Sequence, residues 1–316
     1  MFKTFFITTF IGFILAAQSF SNQVYLTLIK EITLDSEPRD IILYNDKAYI
    51  TSGSDLYSVN TKDPYNPELV SYDGMEGSSS VAFTGRFAYA IGSFDGIKYF
   101  DLTKTPPTYK SKIITSGSLK KIVIDNGYLY VVNNTLGLQV YDVNIGDFPL
   151  FKNTQILPGD ANGIFVQDRK AYVTSTNANM YIIDAGDISR LPIIGTYNYG
   201  TSFFEPYVDG NYAFLPQGNT GVQVLNISKL PFPEFVASIF ARKFAKQVVS
   251  SNFYVWVADE YSVEGFFNID SKSFLFAGNY KNGEAVVNRI AVIEGKYIYL
   301  CSADKKLKIL RIDYRY

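Results

Sequence analysis

The chain of 316 residues contains no histidine and a single cysteine. Without imidazole there is no Ser-His-Asp or Cys-His nucleophile system, no histidine-ligated zinc and no histidine general base. One thiol, Cys301, makes no internal disulfide and no multi-cysteine zinc site. It sits in the strand-like stretch Tyr299-Leu300-Cys301, where a small buried hydrophobe is expected. Charge of one sign is also missing. Lys and Arg number 29 against 30 Asp and Glu, and no long run of either sign occurs, so the basic footprint of a nucleic-acid binder is absent. The dispersed acids match no calcium loop, and the glycine turns Gly92–Gly96 and Gly218–Gly221 precede no helix that would make them phosphate loops. No metal, cofactor or catalytic residue is assigned from these patterns.

One apolar run stands out. Phe5 to Ala17 carries no charge, follows Lys3 and precedes small residues. At 13 residues it is short for a bilayer span of about 20 and suits a signal-peptide core. Residues 1–21 therefore read as an export signal, cleaved after Ser19 or Ser21, with an uncleaved anchor as the alternative. Residues 22–316 then form one exported domain, periplasmic, extracellular or at the cell surface, with no membrane span and expected as a monomer.

The abundant residues are aromatic: 25 Tyr and 25 Phe, in a chain that is 47% hydrophobic. Such composition favours sheet. A phrase recurs as Lys47-Ala48-Tyr49-Ile50, Phe87-Ala88-Tyr89-Ala90, Tyr128-Leu129-Tyr130-Val131, Lys170-Ala171-Tyr172-Val173, Tyr212-Ala213-Phe214-Leu215, a worn Phe253-Tyr254-Val255-Trp256, and Tyr297-Ile298-Tyr299-Leu300. Anchored at 49, 89, 130, 172, 214, 255 and 299, the copies are spaced by 40 to 44 residues. A second phrase keeps step, as in Leu138-Gln139-Val140-Tyr141-Asp142 and Val222-Gln223-Val224-Leu225-Asn226. Each unit holds four short strand-like runs. In the third they are Lys121–Asp125, Tyr128–Val132, Leu138–Val143 and Phe151–Leu157. Four strands in roughly 42 residues is the arithmetic of a propeller blade. The chain is therefore read as all-β, a seven-bladed β-propeller. Its last copy stops after three strands, so residues 26–34 are expected to supply the fourth and close the ring, which removes exposed sheet edges.

The paired phrases, clearest in Gly137-Leu138-Gln139-Val140-Tyr141-Asp142-Val143 and Gly221-Val222-Gln223-Val224-Leu225-Asn226-Ile227-Ser228, resemble the LVIVD repeat of bacterial β-propeller proteins. The resemblance implies an exported propeller of unassigned activity and supplies no catalytic motif.

The Asx residues closing the second phrase (Asn60, Asp101, Asp142, Asp184, Asn226 and Asn268) recur in nearly every copy, which favours a structural role at strand ends over a ligand site. The inner strands begin near Asp40, Ser80, Lys121, Gly163, Glu205, Lys246 and Arg289. Ringed around one channel mouth, Asp40, Lys121, Glu205, Lys246 and Arg289 become the candidate ligand-binding residues, with an ordinary solvated rim as the plain alternative. A register slip would put Gln247 in place of Lys246 and Ile290 in place of Arg289. Three cations against two anions favour an anionic ligand. The expected function is a non-enzymatic binding scaffold for a protein or small anionic ligand. A carboxylate- or metal-dependent propeller hydrolase or lyase, and an adhesion component, are the rivals.

Overall fold

Short strands separated by tight turns leave the chain little choice but antiparallel pairing with its sequence neighbours. The computed structural model describes residues 22–315 except 54, 73, 93–95, 105–106, 145–147, 199 and 201–203. The export segment, residues 1–21, lies outside the described residues. Seven four-stranded antiparallel sheets, the blades, account for all 28 strands, and no helix occurs among the described residues. The third blade runs Leu119–Asp125, Tyr128–Asn133, Gly137–Asp142 and Leu150–Gln155, close to the strands expected from the repeat. In blades three, four and six the turn between first and second strands carries two successive positive-φ residues, such as Asn126 and Gly127 (φ 47° and 75°), the geometry of a two-residue hairpin whose twist matches its strands.

The innermost strands are Pro38–Tyr44, Ser78–Phe83, Leu119–Asp125, Ala161–Gln167, Tyr207–Asp209, Ala245–Ser251 and Val287–Ile293. They surround a central channel. Seven hydrophobic clusters hold the ring together, one at each blade-to-blade interface. The aromatic anchors Tyr49, Tyr89, Tyr130, Tyr172, Phe214 and Tyr299 sit in them, each at most 8% exposed.

In the sixth blade the anchor is Trp256, not Val255. Trp256 lies opposite Gly265 as Tyr130 lies opposite Val140. A Cβ on Gly265 would stand 2.7 Å from the indole, so the glycine supplies the room that the larger ring takes.

The seventh blade is completed by the N-terminal strand. Gln23–Thr33 runs antiparallel to Lys306–Arg315, from Gln23 opposite Arg315 to Thr33 opposite Lys306. The pairing contains the expected residues 26–33 and extends three residues further toward the N-terminus. Val24 also abuts the outer strand of blade six so closely that a Cβ on Gly278 would lie 2.1 Å from its carbonyl oxygen.

Candidate functional site

One backbone irregularity, repeated around the ring, builds the channel mouth. In six of the seven innermost strands the register skips a residue near its start, between Pro38 and Asp40, Ser78 and Ser80, Leu119 and Lys121, Ala161 and Gly163, Ala245 and Gln247, and Val287 and Arg289. A bulge of this kind re-aims consecutive side chains. It produces two stacked rings. The deeper one contains Asp40, Ser80, Lys121, Gly163, Gln247 and Arg289, with Glu205 of blade five, just ahead of its short strand, completing it. The outer one contains the extra residues Arg39, Ser79, Lys120, Asn162, Lys246 and Asn288.

The deeper ring is an ion quartet. Lys121 Nζ lies 2.6 Å from Asp40 Oδ2 and 3.2 Å from Glu205 Oε2. Arg289 Nη2 lies 2.6 Å from the same Glu205 oxygen, and its Nε is 3.6 Å from Asp40 Oδ1. Each acid thus stands between two cations and each cation between two acids. The four charges come from blades one, three, five and seven. Two acids and two cations sum to zero, so the quartet neutralises itself.

The even blades contribute small or uncharged residues that let the charged ones meet. A Cβ on Gly163 would lie 2.6 Å from Glu205 Cα. Gln247 turns sideways and bonds the seventh blade, accepting from Ile290 N at 2.7 Å and donating to Ile290 O at 3.1 Å. Burial lowers the pKa of the Arg289 guanidinium, but Glu205 and Asp40 outweigh that effect and raise it above its ordinary value.

The structure therefore brings together Asp40, Lys121, Glu205 and Arg289. The expectation that Lys246 stands with them is corrected: the bulge places Gln247 at the ring position and Lys246 one layer out. The same one-residue shift moves the sixth aromatic anchor from Val255 to Trp256. Arg289 holds its place and Ile290 does not displace it.

The outer ring has a different character. Arg39, Lys120 and Lys246 are its charged members, and none makes an ion pair among the described residues. Glu37 is fixed beside them, its Oε1 accepting from Asn288 Nδ2 at 2.7 Å. Lys120, Lys246, Asn162 and Asn288 line a vestibule of about 370 Å³ above the quartet. Arg39 and Lys120 were not singled out in the sequence. Aligning the repeats one position upstream of the quartet would have exposed them.

Beneath the quartet the channel turns apolar. Ile41, Val81, Ile122, Ile164, Val248 and Ile290 form a collar of aliphatic side chains, none more than 7% exposed. From there a well of about 540 Å³ opens toward the opposite face. The quartet is thus a polar floor between a basic vestibule and an apolar well.

Solved structures share this architecture. A chain from a crystal structure described as the mitotic checkpoint complex superposes with a TM-score of 0.77 at 12% identity, covering 98% of this chain and 99% of that one. The computationally designed Ika8 protein superposes with a TM-score of 0.70 at 7% identity, over 91% of this chain and 100% of that one. At these identities the likeness is one of fold alone. No family model and no curated protein matches the chain.

The remaining sequence candidates resolve into structure. All six Asx residues that end the second phrase accept a hydrogen bond from a backbone N–H two or three residues on: Asn60 from Lys62, Asp101 from Thr103, Asp142 from Asn144, Asp184 from Gly186, Asn226 from Ser228 and Asn268 from Ser271. These are strand-end turns. Hydrogen bonds from Thr103 and its backbone, with Arg86 nearby, hold the Asp101 carboxyl down at about 2. The glycine that opens the second phrase is steric: a Cβ on Gly137 would lie 2.4 Å from Gln155 O, and Gly221 makes the equivalent approach to Ile239 O at 2.2 Å. Cys301 is buried and its Sγ faces Asp40 O at 4.0 Å.

Proposed function

We propose that this chain is an exported propeller of the LVIVD-repeat kind that acts as a binding scaffold, holding an anionic group of a ligand or partner at the basic vestibule. The observation that carries this reading is the outer ring. Its three cations, Arg39, Lys120 and Lys246, have no acidic partner among the described residues, while the four charges below them are spent on one another. Lys120 and Lys246 line the vestibule, Arg39 holds the same ring position on blade one and Glu37 is fixed beside them, so cations outnumber acid over a floor that sums to zero, an excess that attracts anions. Carboxylate and phosphate suit a guanidinium and two ammonium groups alike. Export is supported by Lys3 and the uncharged run from Phe5 to Ala17. A scaffold role is supported by a chain without histidine, whose channel charges are paired with one another.

A polypeptide partner is favoured over a free small anion by the surroundings of the mouth. Ile114, Ile156 and Phe240 each follow the outer strand of their blade, on connections leading back to the quartet end of the next one. They are 80%, 68% and 80% exposed. Apolar side chains left bare on the face that carries the charged mouth offer contacts that a polypeptide can reach and a free small anion cannot.

Titration of the purified protein with citrate and pyrophosphate, followed by calorimetry and thermal shift, tests the site. Arg39→Ala, Lys120→Ala and Lys246→Ala together should weaken binding by at least about tenfold, at about 1.5–3 kcal/mol for each charge-assisted contact removed. Added salt should weaken the wild type more than the triple variant. Equal response of both proteins to the same anion would place the site elsewhere.

A further inference from the structure

We propose that the apolar well on the far side of the quartet is a second, separate binding site, one that takes a small organic cation with an apolar or aromatic body. This goes beyond the vestibule reading and does not depend on it, because the quartet floor divides the channel.

The well has the size and character of a ligand pocket. Its volume of about 540 Å³ falls within the range for small-molecule sites, which are concave, mostly apolar and furnished with a few polar groups. Below the aliphatic collar the side chains are left half-buried: Ile42, Val123, Phe165 and Val249 line the wall with Leu43, itself 42% exposed. Two aromatic pairs flank it. Tyr44 and Phe83 stack with centroids 5.2 Å apart on blades one and two, and Phe165 and Tyr207 meet at 5.0 Å on blades four and five. Tyr207 is fixed by donating its hydroxyl to Ser250 O at 3.2 Å. Aromatic walls suit an aromatic body by stacking and a cation by the negative ring faces.

The sign of the ligand follows from the rim. Asp125 lines the well, and its carboxylate accepts only from the neutral amide of Asn126, at 2.8 Å. Asp209 stands one hydrogen bond behind the wall, accepting from Ser250 Oγ at 2.8 Å. Neither acid has a cationic partner among the described residues. The cations on the neighbouring turns are engaged elsewhere: Arg86 with Asp101 at 3.2 Å, Arg169 with Gly186 O at 3.1 Å and Lys296 with Glu294 at 2.9 Å. Lys47 donates to Tyr72 Oη, and Lys170 faces a separate cleft beside Asp184 and Asp187. The well thus has Asp125 in its lining and Asp209 just behind it, with no cation paired to either among the described residues, where the opposite mouth carries Lys120 and Lys246. An apolar cation satisfies wall and rim together, and an apolar anion satisfies only the wall.

The test uses three probes of one shape: 4-phenylbutylamine, 4-phenylbutan-1-ol and 4-phenylbutyrate, titrated into the purified protein by calorimetry or ligand-observed NMR. The amine should bind saturably, the alcohol about threefold to tenfold more weakly, and the carboxylate more weakly still. Asp125→Asn, a near-isosteric change at the end of the strand Leu119–Asp125, should bring the amine to the level of the alcohol and leave the alcohol unchanged. Val249→Trp, which fills the well, should abolish binding of all three. Lys246→Ala, across the quartet, should leave amine affinity unaltered, so that this site and the vestibule stand or fall separately. Equal affinity for the three probes, no saturable binding of the amine, or an amine preference that survives Asp125→Asn would overturn the proposal.

Discussion

Replacing Lys121 with methionine probes the quartet at its most connected point. Lys121 reaches both acids through a single ammonium, 2.6 Å to Asp40 and 3.2 Å to Glu205, with its side chain 11% exposed. Methionine keeps the bulk and removes the charge. Asp40, its side chain 6% exposed, would then keep the Arg289 Nε at 3.6 Å as its cation and a hydrogen bond from Ile41 N at 3.1 Å. Two carboxylates would share one guanidinium in a place that water barely reaches. Breaking one partner out of a buried pair costs about 3–5 kcal/mol, because the remaining charge stays buried and uncompensated. The lower figure applies here, since Arg289 and Glu205 are 21% and 19% exposed and partly solvated. About 3 kcal/mol, over an unfolding entropy of about 2.1 cal/mol/K for each of roughly 300 residues, lowers the melting temperature by about 5 °C.

Trp256, the single tryptophan and wholly buried, provides the fluorescence signal for the melt. Asp40→Asn combined with Lys121→Met should cost less than the sum of the two single changes by at least about 1 kcal/mol, because the double variant removes the stranded charge. The loss should persist at 1 M salt, which screens exposed charges far more than buried ones. A loss below about 1 kcal/mol, the range of a surface ion pair, or strict additivity in the cycle, would refute the quartet as a buried network.

Three further outcomes follow from other parts of the ring. Glu264 is buried beside Asp259, with Arg242 Nε 3.2 Å from its Oε1 but not aligned to donate to it; burial first, then Asp259, pushes its pKa up to about 7. The folded protein thus holds a proton that the unfolded chain releases nearer pH 4.5, so this stabilisation is full below pH 4.5 and lost as pH rises through 7. Glu264→Gln, the residue found at the equivalent Gln139 and Gln223, should flatten that slope and exceed the wild type above pH 8 by about 1–3 kcal/mol in denaturant melts; parallel pH profiles would count against it. Burial, then the Asp40 carboxylate, raises the pKa of the Cys301 thiol, so it should resist iodoacetamide in the native protein and react on unfolding; stoichiometric native labelling at pH 8 would contradict this. Removing residues 22–35 strips the partner from Lys306–Arg315 and bares an edge strand, so the truncated protein should lose solubility and melt earlier; unchanged melting would show that the closing strand is dispensable.

The repeat made the blades legible because two phrases in fixed register report strand, turn and burial at once. Tyr130 and Val140 face each other because hydrophobic alternation says which face each occupies, and the Asx at 142 says where the strand ends. The missing fourth strand of the last copy likewise named its replacement. The sixth copy was harder to read. Its anchor slid by one because Tyr254, Val255 and Trp256 all suit a strand, and the Gly265 that singles out Trp256 acts across the sheet rather than along it. The channel site failed in the same way and for a related reason. A bulge is a property of pairing between two strands, so periodicity in one strand does not reveal it. Without the bulge, Lys246 and Gln247 are interchangeable candidates, and Arg39 and Lys120 look like ordinary surface cations. That Asp40, Lys121, Glu205 and Arg289 neutralise one another was likewise invisible, since they lie about 80 residues apart in sequence and meet only across the channel.

The placement of the four charges bears on how the ring closes. Alternate blades contribute them, and with an odd number of blades two charged blades must then be neighbours. Those are the seventh and the first, the boundary that follows the blade in which the N-terminal strand pairs with Lys306–Arg315. Arg289 and Asp40 face each other across it on the inside, at 3.6 Å. Asn288 reaches across to Glu37 Oε1 at 2.7 Å and to Pro38 O at 2.8 Å, and Leu34 N donates to Lys305 O at 2.8 Å. On the outside, Lys306 Nζ lies 2.5 Å from Glu31 along the closing strand. Gln23–Thr33 runs through residues 34–37 into Pro38–Tyr44, so the seventh blade joins the first through the same kind of outer-to-inner connection as every other pair. The non-covalent junction lies inside blade seven, where Gln23–Thr33 is held to Lys306–Arg315 by the strand ladder and the Lys306–Glu31 pair. The polar contacts between blades seven and one therefore tie the closing strand's connection to the channel wall, and Arg289 and Asp40 among them also form the floor that keeps the basic vestibule and the apolar well apart.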